Sequence, residues 1–318
     1  MRRPQAHTSM KTGIATVIKH TGSHYLLSEL PGWEPFPCVL KGKMRLKGSS
    51  STNPVAVGDR VRYETEGETG SIIEVLPRKN YLIRKSTNLS RQTHVIAANI
   101  DKAFLVTTLI FPEVKLPFLD RILLTCEVYN VPVTIVLNKS DLYRGLCDES
   151  VEAFKRIYHD SAGYDIMEIS ALTGEGVEEL REECRDKVVL FTGVSGVGKS
   201  SLIKSLDPGL SPKIEEISEA HLQGRHTTTF YEMYRIATGG YIIDTPGIRG
   251  FGLVDLKPEE IALYFPEMLH YGRNCRFTPC THTHEPGCAV KEAVENGQIA
   301  AERYNSYLGM LEEGEKYR

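Results

Sequence analysis

The sequence lacks the features that are typical of membrane and secreted proteins. None of its 318 residues lies in an apolar run that approaches the roughly 18 residues needed to cross a bilayer. The N-terminal stretch MRRPQAHTSMKTG holds two arginines with no apolar segment behind them, so we expect no signal peptide. Internal repeats are also absent. We therefore expect a cytoplasmic protein with reduced cysteines and no membrane association.

Cysteine is scarce, and its positions separate two kinds of residue. Four of the seven cysteines are scattered, at Cys38, Cys126, Cys147 and Cys184, and we interpret them as packing residues. The other three fall between Cys275 and Cys288. Such clustering indicates a shared site.

The net charge of −3 conceals an asymmetry along the chain. Residues 1–90 contain 14 lysines and arginines against 7 acidic residues, whereas the remainder contains 24 against 34. This asymmetry is typical of an interaction module, but a small, well-solvated domain with a chance excess of charge explains it equally well.

Hydrophobic patterning divides the chain into three parts. Short β-like runs fill the first 85 residues and predict a small barrel or sandwich. From about residue 97, apolar strands alternate with helices, including one at about 148–162, which predicts a doubly wound, mainly parallel sheet. Beyond residue 253 only helical signals remain, with a last helix near 289–313. We predict a multi-domain α/β protein with domains at 1–88 (its first dozen residues flexible), 89–252 and 253–318.

The segment GVSGVGKSS fits the phosphate-binding pattern G-x-x-x-x-G-K-[ST] between a predicted strand and a predicted helix. Its glycines let consecutive backbone N–H groups face the phosphates, and the helix N-terminus adds its dipole. Lys199 can reach the β- and γ-phosphates, and Ser200 can hold Mg²⁺. We assign nucleotide contact to the whole loop: Gly193, Val194, Ser195, Gly196, Val197, Gly198, Lys199, Ser200 and Ser201.

Guanine recognition is predicted for NKSD, which follows the apolar run VTIVL. Asp141 can accept hydrogen bonds from guanine N1–H and the exocyclic amine, which adenine cannot offer. In the same motif, Asn138 braces the site and the Lys139 stem packs on the base. The remaining base-contacting positions are Ser140 and, after the next predicted strand, Ser170, Ala171 and Leu172.

Two further segments are typical of γ-phosphate sensing. DTPG places Asp244 near the Mg²⁺ shell and the Gly247 N–H near the γ-phosphate. Upstream, GRHTTT can supply a threonine ligand to Mg²⁺; we select Thr228, with the neighbouring threonines left open. GRHTTT alone is also compatible with the start of a strand, but its position between the phosphate loop and DTPG favours the ligand role.

The residue after DTPG is Ile248, where many GTPases have a glutamine that orients the attacking water. Isoleucine cannot make that hydrogen bond. We hypothesise that His226, in GRHTTT, holds or deprotonates the water, because a histidine side chain titrates near neutral pH.

The order of these segments is unusual for a GTPase. The base-reading segment begins at Asn138, 55 residues before the phosphate loop at Gly193 (193 − 138). Joining the old ends of a domain and opening it at another loop leaves every strand-to-loop geometry intact. We therefore infer a circularly permuted P-loop GTPase domain.

With these motifs the chain resembles the circularly permuted GTPases of small-ribosomal-subunit biogenesis, the RsgA/YjeQ family. The resemblance covers nearly the whole chain and includes VAVGDRV, VLPRKNYLIR, GVSGVGKSSL, GRHTTT, DTPGIRGFGL and CRFTPCTHTHEPGCAV. It implies an N-terminal OB-fold barrel, a permuted GTPase domain and a C-terminal helical zinc domain. It also implies GTP hydrolysis stimulated by the small subunit during late maturation, with His226 as the catalytic residue.

The cysteine and histidine cluster has the pattern C-x₄-C-x-H-x₅-C, formed by Cys275, Cys280, His282 and Cys288. Three thiolates and one imidazole suit tetrahedral Zn²⁺ in a closed structural site. His270 and His284 are rival nitrogen ligands, and the family resemblance favours His282. Disulfide pairing is the alternative, and it leaves an odd cysteine.

The basic first third includes KGKMRLK at 41–47, and OB-folds bind nucleic acid through a charged groove with stacking aromatic residues. We expect ribosomal RNA contact there, and the candidate aromatic residues are Tyr25, Trp33, Phe36, Tyr63 and Tyr81.

The overall prediction is a monomeric, Mg²⁺-dependent GTPase of the small ribosomal subunit. A nucleotide-gated RNA-binding scaffold with negligible turnover is the main alternative, and NKSD argues against a third, a small-molecule kinase.

Overall fold

Buried hydrophobic side chains form three cores, one for each region that the patterning distinguishes. The structure is a computed structural model, and it describes residues 11–41, 54–65, 69–85, 93–210, 231–244 and 256–316. The first ten residues and all but the first lysine of KGKMRLK lie outside these ranges. In the part of the chain that is described, no helix has the length and apolar character needed to span a bilayer.

The N-terminal region is a closed five-stranded β-barrel. The strands pair in the order β1-β2-β3-β5-β4, and β4 pairs again with β1; only the β3–β5 pair is parallel. In β4, Val61 and Tyr63 are buried while Arg60 and Arg62 are exposed, which is the period-two pattern of a half-buried strand. The strands are β1 (Lys11–Thr21), β2 (His24–Ser28), β3 (Phe36–Leu40), β4 (Arg60–Thr65) and β5 (Gly70–Val75).

A two-stranded antiparallel hairpin follows the barrel, formed by β6 (Tyr81–Lys85) and β7 (Thr93–Ala98). Leu82 and Ile96 on the two strands are buried in the central core. The hairpin therefore packs with the region that follows it. The predicted boundary between residues 88 and 89 falls between its strands, and the three domain limits stay predictions.

The central region is a six-stranded, mainly parallel sheet in the order β10-β9-β8-β11-β13-β12, in which only β12 runs antiparallel. Residues 103–107 of β8 are all buried, as expected for a strand covered on both faces. The elements are β8 (Lys102–Thr107), α1 (Leu116–Val128), β9 (Val133–Asn138), α2 (Asp148–Lys155), β10 (Asp165–Ile169), α3 (Val177–Cys184), β11 (Val188–Thr192), α4 (Lys199–Leu206), β12 (Glu232–Arg235) and β13 (Tyr241–Asp244).

The barrel docks on the outer strands of this sheet. Lys19 on β1 pairs with Glu232 on β12, and their side chains form an ion pair of 2.7 Å. Beside it, the ring of Trp33 stacks on Tyr241 with centroids 5.6 Å apart. The strand pairings consequently run continuously from the central sheet into the barrel.

The C-terminal region is helical, and its core contains Phe265, Met268, Val290, Ile299 and Tyr307. Its helices are α5 (Pro258–Ile261), α6 (Pro266–Gly272), α7 (Ala289–Glu295) and α8 (Ala301–Lys316).

Two predicted helices differ from the observed ones. The helix expected over 148–162 is α2 followed by a wider π-helical segment, Arg156–Ser161, which buries Tyr158 against Phe154. The helix expected over 289–313 is two helices, because Gly297 adopts a left-handed φ of 71° between them.

A buried arginine joins the C-terminal region to the central sheet. Arg303 on α8 is 1% exposed; its guanidinium donates to Asp120 on α1 at 2.7 Å and to both carboxylate oxygens of Glu267 on α6 at 2.7 and 3.2 Å. The ring of Phe265 lies 4.5 Å from the guanidinium carbon. These charges are paired inside the protein, where an unpaired charge would be strongly unfavourable.

Candidate functional site

The segments predicted to bind nucleotide meet at one edge of the central sheet. NKSD begins at the last residue of β9, residues 170–172 follow β10, and the phosphate loop follows β11. The strands β8 to β11 are parallel, so their carboxyl ends lie at the same edge, where ligands bind in open α/β sheets. This arrangement depends on the position of each strand in the sheet, not on the order of the segments along the chain.

Asn138 connects all three segments. Its side-chain amide donates to the carbonyl of Val197 in the phosphate loop at 2.8 Å, and its side-chain oxygen accepts from the Ala171 N–H at 3.2 Å. The residue is 1% exposed. A buried amide with both ends engaged has one orientation, so Asn138 fixes the two other segments against the end of β9.

Asp141 is held by the loop after β10. Ser170 Oγ donates to Asp141 Oδ1 at 2.5 Å and accepts from the Thr173 N–H at 3.1 Å. Asp141 is half-buried, Ser140 is buried and Leu172 is 85% exposed. The carboxylate is therefore oriented before any ligand arrives, while the end of the loop remains open to solvent.

The side chain of Lys139 connects the turn that carries NKSD to the phosphate loop. It adopts a left-handed backbone conformation with φ of 67°. Its ammonium donates to the carbonyl of Gly196 at 2.9 Å and to the carbonyl of Phe111. These bonds tie the turn that carries NKSD to the phosphate loop and to the loop after β8, and the role of the Lys139 stem in packing on a base stays a prediction.

The phosphate loop has a backbone that excludes side chains at two glycines. Gly193 has a φ of 143°, and a Cβ there would lie 2.1 Å from the carbonyl oxygen of Val106. Gly198 has a φ of 94°, and its Cβ would lie 2.3 Å from Nδ2 of Asn138. Only glycine satisfies both the left-handed conformation and the close approach at these positions.

Lys199 folds back over the phosphate loop. Its ammonium donates to the carbonyls of Gly193 at 2.9 Å and Val194 at 2.7 Å. Ser195, Ser200 and Ser201 are exposed, as is Gly196, whereas Val197 is buried. Lys199 therefore anchors the loop, and the three loop serines assigned to phosphate and Mg²⁺ are exposed to solvent.

The residues assigned to γ-phosphate sensing and hydrolysis are covered only in part. His226, Thr228 and Gly247 lie outside the described residues. Asp244 is the last residue of β13, where its backbone pairs with Glu232 on β12, so the segment YIID ends an interior strand of the sheet with this aspartate. The roles of these four residues stay predictions.

The loop after β8 also lies at the site, although no sequence motif marks it. This loop, residues 108–113, carries the Phe111 carbonyl that Lys139 contacts, and the side chain of Pro112 approaches Gly196 of the phosphate loop. Tyr143 is likewise unmarked by a motif, and its hydroxyl contacts both this loop and the NKSD turn. Neither segment belongs to a GTPase motif, and only the position of the loop after a parallel strand could have indicated it.

The predicted metal ligands come together in the C-terminal region. The ligand atoms of Cys275, Cys280, His282 and Cys288 all lie within 4.8 Å of one another. The Cys275 and Cys288 sulfurs are 3.9 Å apart, and Nδ1 of His282 lies 3.6 and 3.4 Å from them. Bonds of about 2.3 Å to sulfur and 2.0 Å to nitrogen give tetrahedral edges of about 3.8 and 3.5 Å, so the cluster fits a metal such as zinc.

The rival explanations of this cluster do not match the geometry. All seven cysteines are free thiols, so the cluster contains no disulfide. Nδ1 of His284 instead contacts the hydroxyl of Thr283 at 2.9 Å, and the ring of His270 packs on Tyr271. Of the scattered cysteines, three are buried and Cys147 is half-buried, which agrees with packing roles.

The loop that carries His282 is held in place by α8. Tyr304 donates to the carbonyl of His282 and Tyr307 donates to the carbonyl of Thr281, both at 2.6 Å. The Glu285 carboxylate accepts from the Thr281 N–H at 2.7 Å. Burial opposes ionisation of Glu285, but the hydrogen bonds that its carboxylate accepts from the Thr281 hydroxyl and from the Thr281 and Thr283 N–H groups lower its pKa to about 2. The ligand loop therefore has a rigid outer layer.

The barrel aromatic residues are mostly unsuited to stacking on RNA. Tyr25 and Tyr63 are 2% and 1% exposed and belong to the barrel core, and Phe36 packs against that core. Trp33 is occupied by its stack on Tyr241, whereas Tyr81 is 38% exposed. Tyr25 and Tyr63 were wrong candidates, because their positions in the barrel strands point inward.

Comparison with known proteins gives a consistent result over the whole chain. A family model described as RsgA GTPase matches residues 75–254. The small ribosomal subunit biogenesis GTPase RsgA of Bacteroides fragilis is 51% identical over 305 residues, covering 95% of this chain and 98% of that protein. The protein of the same name from Flavobacterium psychrophilum is 46% identical over 313 residues, covering 96% and 94%.

Two solved structures of similar proteins agree with this family match. YjeQ from Thermotoga maritima has a TM-score of 0.79 at 36% identity, with 96% of this chain and 99% of that chain covered. YloQ, described as a circularly permuted GTPase, has a TM-score of 0.76 at 27% identity, with 100% and 99% covered. The chain therefore belongs to the RsgA GTPase family, and it is a circularly permuted GTP hydrolase.

Proposed function

We propose that this GTPase binds the small ribosomal subunit and hydrolyses GTP to GDP and phosphate during late subunit maturation, and that the subunit accelerates hydrolysis. Its relatives from Bacteroides fragilis and Flavobacterium psychrophilum are named for small ribosomal subunit biogenesis. The observation that carries the proposal is the bonding of Asn138 to both Val197 and Ala171, which unites the base-reading and phosphate-binding segments in one site.

Guanine would be read by the turn after β9. The Asp141 carboxylate would accept hydrogen bonds from N1–H and the exocyclic amine, with the Lys139 stem beneath the base and the backbone of residues 170–172 at the guanine oxygen. Adenine would leave this oriented carboxylate without its donors, which is costly in a half-buried site. The phosphates would lie on the N–H groups of residues 193–201.

Hydrolysis would use groups on both sides of the phosphate loop. Ser200 and Thr228 would hold Mg²⁺, which when bound neutralises charge on the β- and γ-phosphates. Asp244 would support that site and the Gly247 N–H would contact the γ-phosphate. Because Ile248 stands where glutamine would orient water, His226 would hold the attacking water and accept its proton.

The Cys275, Cys280, His282 and Cys288 cluster would hold one structural zinc ion. Four protein ligands would complete the coordination of such an ion and leave no open position for catalysis. The thiolates and imidazole lie on loops around α6 and α7, and a bound ion would supply folding free energy to this small helical region.

Contact with ribosomal RNA would involve the barrel. Residues 1–90 carry the basic excess, and Tyr81, on the hairpin that follows the barrel, is 38% exposed with its ring packed against Tyr129. A role in the maturation of ribosomal subunits would place the protein in the cytoplasm. One chain carries every segment of the nucleotide site, and we expect it to act as a monomer.

Co-sedimentation with purified small subunits tests this proposal. The full chain, loaded with a non-hydrolysable GTP analogue, is expected to pellet with small subunits and not with large subunits. Loading with GDP is expected to reduce the bound fraction. Equal recovery with small and large subunits, or none with either, would contradict the proposal.

A further inference from the structure

Tyr143 lies two positions after the base-reading aspartate, and its hydroxyl is buried beneath the nucleotide site. The residue is 1% exposed. A short 3₁₀ turn, Ser140–Leu142, reverses the chain after β9, and the Tyr143 N–H donates to the Ser140 carbonyl at 3.1 Å. This reversal brings the ring back under the turn that carries NKSD.

The hydroxyl of Tyr143 bridges the turn that carries NKSD and the loop after β8. It donates to the main-chain carbonyl of Asn138 at 2.5 Å and accepts from the Leu109 N–H at 3.1 Å. Burial raises the pKa of Tyr143 to about 12, so the group is a neutral hydroxyl that donates one bond and accepts another. Both of its hydrogen-bonding capacities are used.

The loop that receives the second bond returns to the phosphate loop. Thr108 Oγ1 donates to the Pro112 carbonyl at 2.6 Å and closes the loop on itself. The Phe111 carbonyl accepts from Lys139 Nζ, which also donates to Gly196. A continuous chain of hydrogen bonds thus runs from Asn138 through Tyr143, the loop after β8 and Lys139 to the phosphate loop.

We propose that the Tyr143 hydroxyl is a positioning group for guanine nucleotide binding, which holds Asn138 and the loop after β8 in the arrangement that Asp141 and Lys139 require. The inference rests on the proposed role of NKSD in reading guanine. Without the hydroxyl, the Asn138 carbonyl and the Leu109 N–H lose a shared partner in a buried place. The turn and the loop would then separate to recover hydrogen bonds, and the base-reading groups would move with them.

Tyr143→Phe in the full chain tests this proposal, because it removes only one oxygen. We expect the Kd for GDP to rise about tenfold, as for the loss of a buried hydrogen bond. We also expect the preference for GDP over inosine diphosphate to fall, since inosine lacks the exocyclic amine that a well-placed Asp141 accepts from. This ratio of two Kd values does not depend on the fraction of folded protein.

Tyr63→Phe is the matched control. Tyr63 is also 1% exposed, burial raises its pKa to about 12, and its hydroxyl donates to Glu29 in the barrel, away from the nucleotide site. This variant is expected to keep the wild-type Kd for GDP and the wild-type ratio. Thermal unfolding of both variants measures the structural cost separately.

The possible results distinguish a failure of guanine recognition by NKSD from a failure of the role of Tyr143. A wild-type chain that binds GDP no better than ADP overturns the proposed reading of guanine itself. A wild-type chain that prefers GDP, together with a Tyr143→Phe variant whose Kd and ratio match those of wild type or of Tyr63→Phe, overturns only the role of Tyr143.

Discussion

The side-chain amide of Asn138 donates a hydrogen bond to the carbonyl of Val197 across 59 positions of sequence, with 2.8 Å between the two atoms. Asn138 ends β9 and Val197 belongs to the loop after β11, which is two strands away in the sheet. The bond closes the nucleotide site despite the reversed order of its segments. Permutation leaves it intact because the contact depends on which strand ends adjoin.

Asp141→Asn should exchange the base preference. Asparagine cannot accept both hydrogen bonds from guanine, but its amide can donate to the 2-oxo group of xanthine. We expect GDP affinity to fall by about 10- to 100-fold and xanthosine diphosphate affinity to rise, as measured by equilibrium binding. Asp165→Asn changes an exposed aspartate at the opposite end of β10 and should leave both affinities unchanged. Unaltered GDP binding by Asp141→Asn would count against the assigned role.

His226→Ala should slow hydrolysis without weakening nucleotide binding. General base or water-positioning groups contribute about 10²- to 10⁴-fold to rate, so single-turnover GTP hydrolysis should fall by that order. His24→Ala, in an exposed barrel position, is the control. A His226→Ala rate equal to wild type would remove histidine from the mechanism.

Cys280→Ser should abolish metal binding, whereas Cys147→Ser should not. Cys280 belongs to the four-ligand cluster, and Cys147 is an isolated, half-buried thiol. Metal analysis should find one zinc per chain in wild type and Cys147→Ser and much less than one in Cys280→Ser. Hydrogen exchange should also rise in α7 and α8 of Cys280→Ser, because a bound ion would link the loops that adjoin these helices. Full zinc content in Cys280→Ser would refute the assignment.

Arg303→Met should destabilise the protein by about 3–5 kcal/mol, because it leaves Asp120 and Glu267 buried without their partner. Burial already raises the pKa of Asp120 despite the arginine beside it. Adding Glu267→Gln to Arg303→Met should recover part of the loss, as measured by urea unfolding of the zinc-loaded chain.

Arg185→Met provides the contrast for that experiment. Arg185 is about half exposed and pairs with Glu182 on the surface, so its loss should cost less than about 1 kcal/mol. A similar cost for the two arginine substitutions would show that the buried cluster does not hold the C-terminal region to the central sheet.

Lys43→Ala combined with Lys47→Ala should weaken binding to small subunits and reduce its salt dependence. Each lost phosphate contact should lower the slope of log affinity against log salt by about one. The pair Lys155→Ala and Lys204→Ala removes the same charge from the central region and should change neither quantity. Equal effects of the two pairs would argue against RNA contact by the basic segment.

Much of the architecture was predictable from local pattern. Apolar and charged residues alternate in RVRYET of β4, and β8 contains the apolar run AFLV; the burial of both strands agrees with these patterns, because each pattern reflects the number of covered faces. The meeting of NKSD with the phosphate loop followed from their positions at the ends of parallel strands. Spacing also indicated the three cysteines of the metal cluster, whereas the choice of His282 over His270 and His284 came from the family resemblance, and the structure brings these four residues together.

The remaining features depend on contacts between distant residues. Arg303 resembles any surface arginine in a helical pattern, and only the fold places it between residues 120 and 267. The break at Gly297 depends on its left-handed φ, and the contact between Lys19 and Glu232 joins two regions 213 positions apart. Tyr143 lies beside a motif, but its two hydrogen bonds appear only after the chain reverses.

Steady-state GTP hydrolysis by the full chain, with and without purified small ribosomal subunits, shows whether the subunit activates this GTPase. We expect slow turnover by the chain alone and a much higher rate with small subunits, with no such increase from large subunits or in the Asp141→Asn variant. An identical rate with and without small subunits would contradict this expectation.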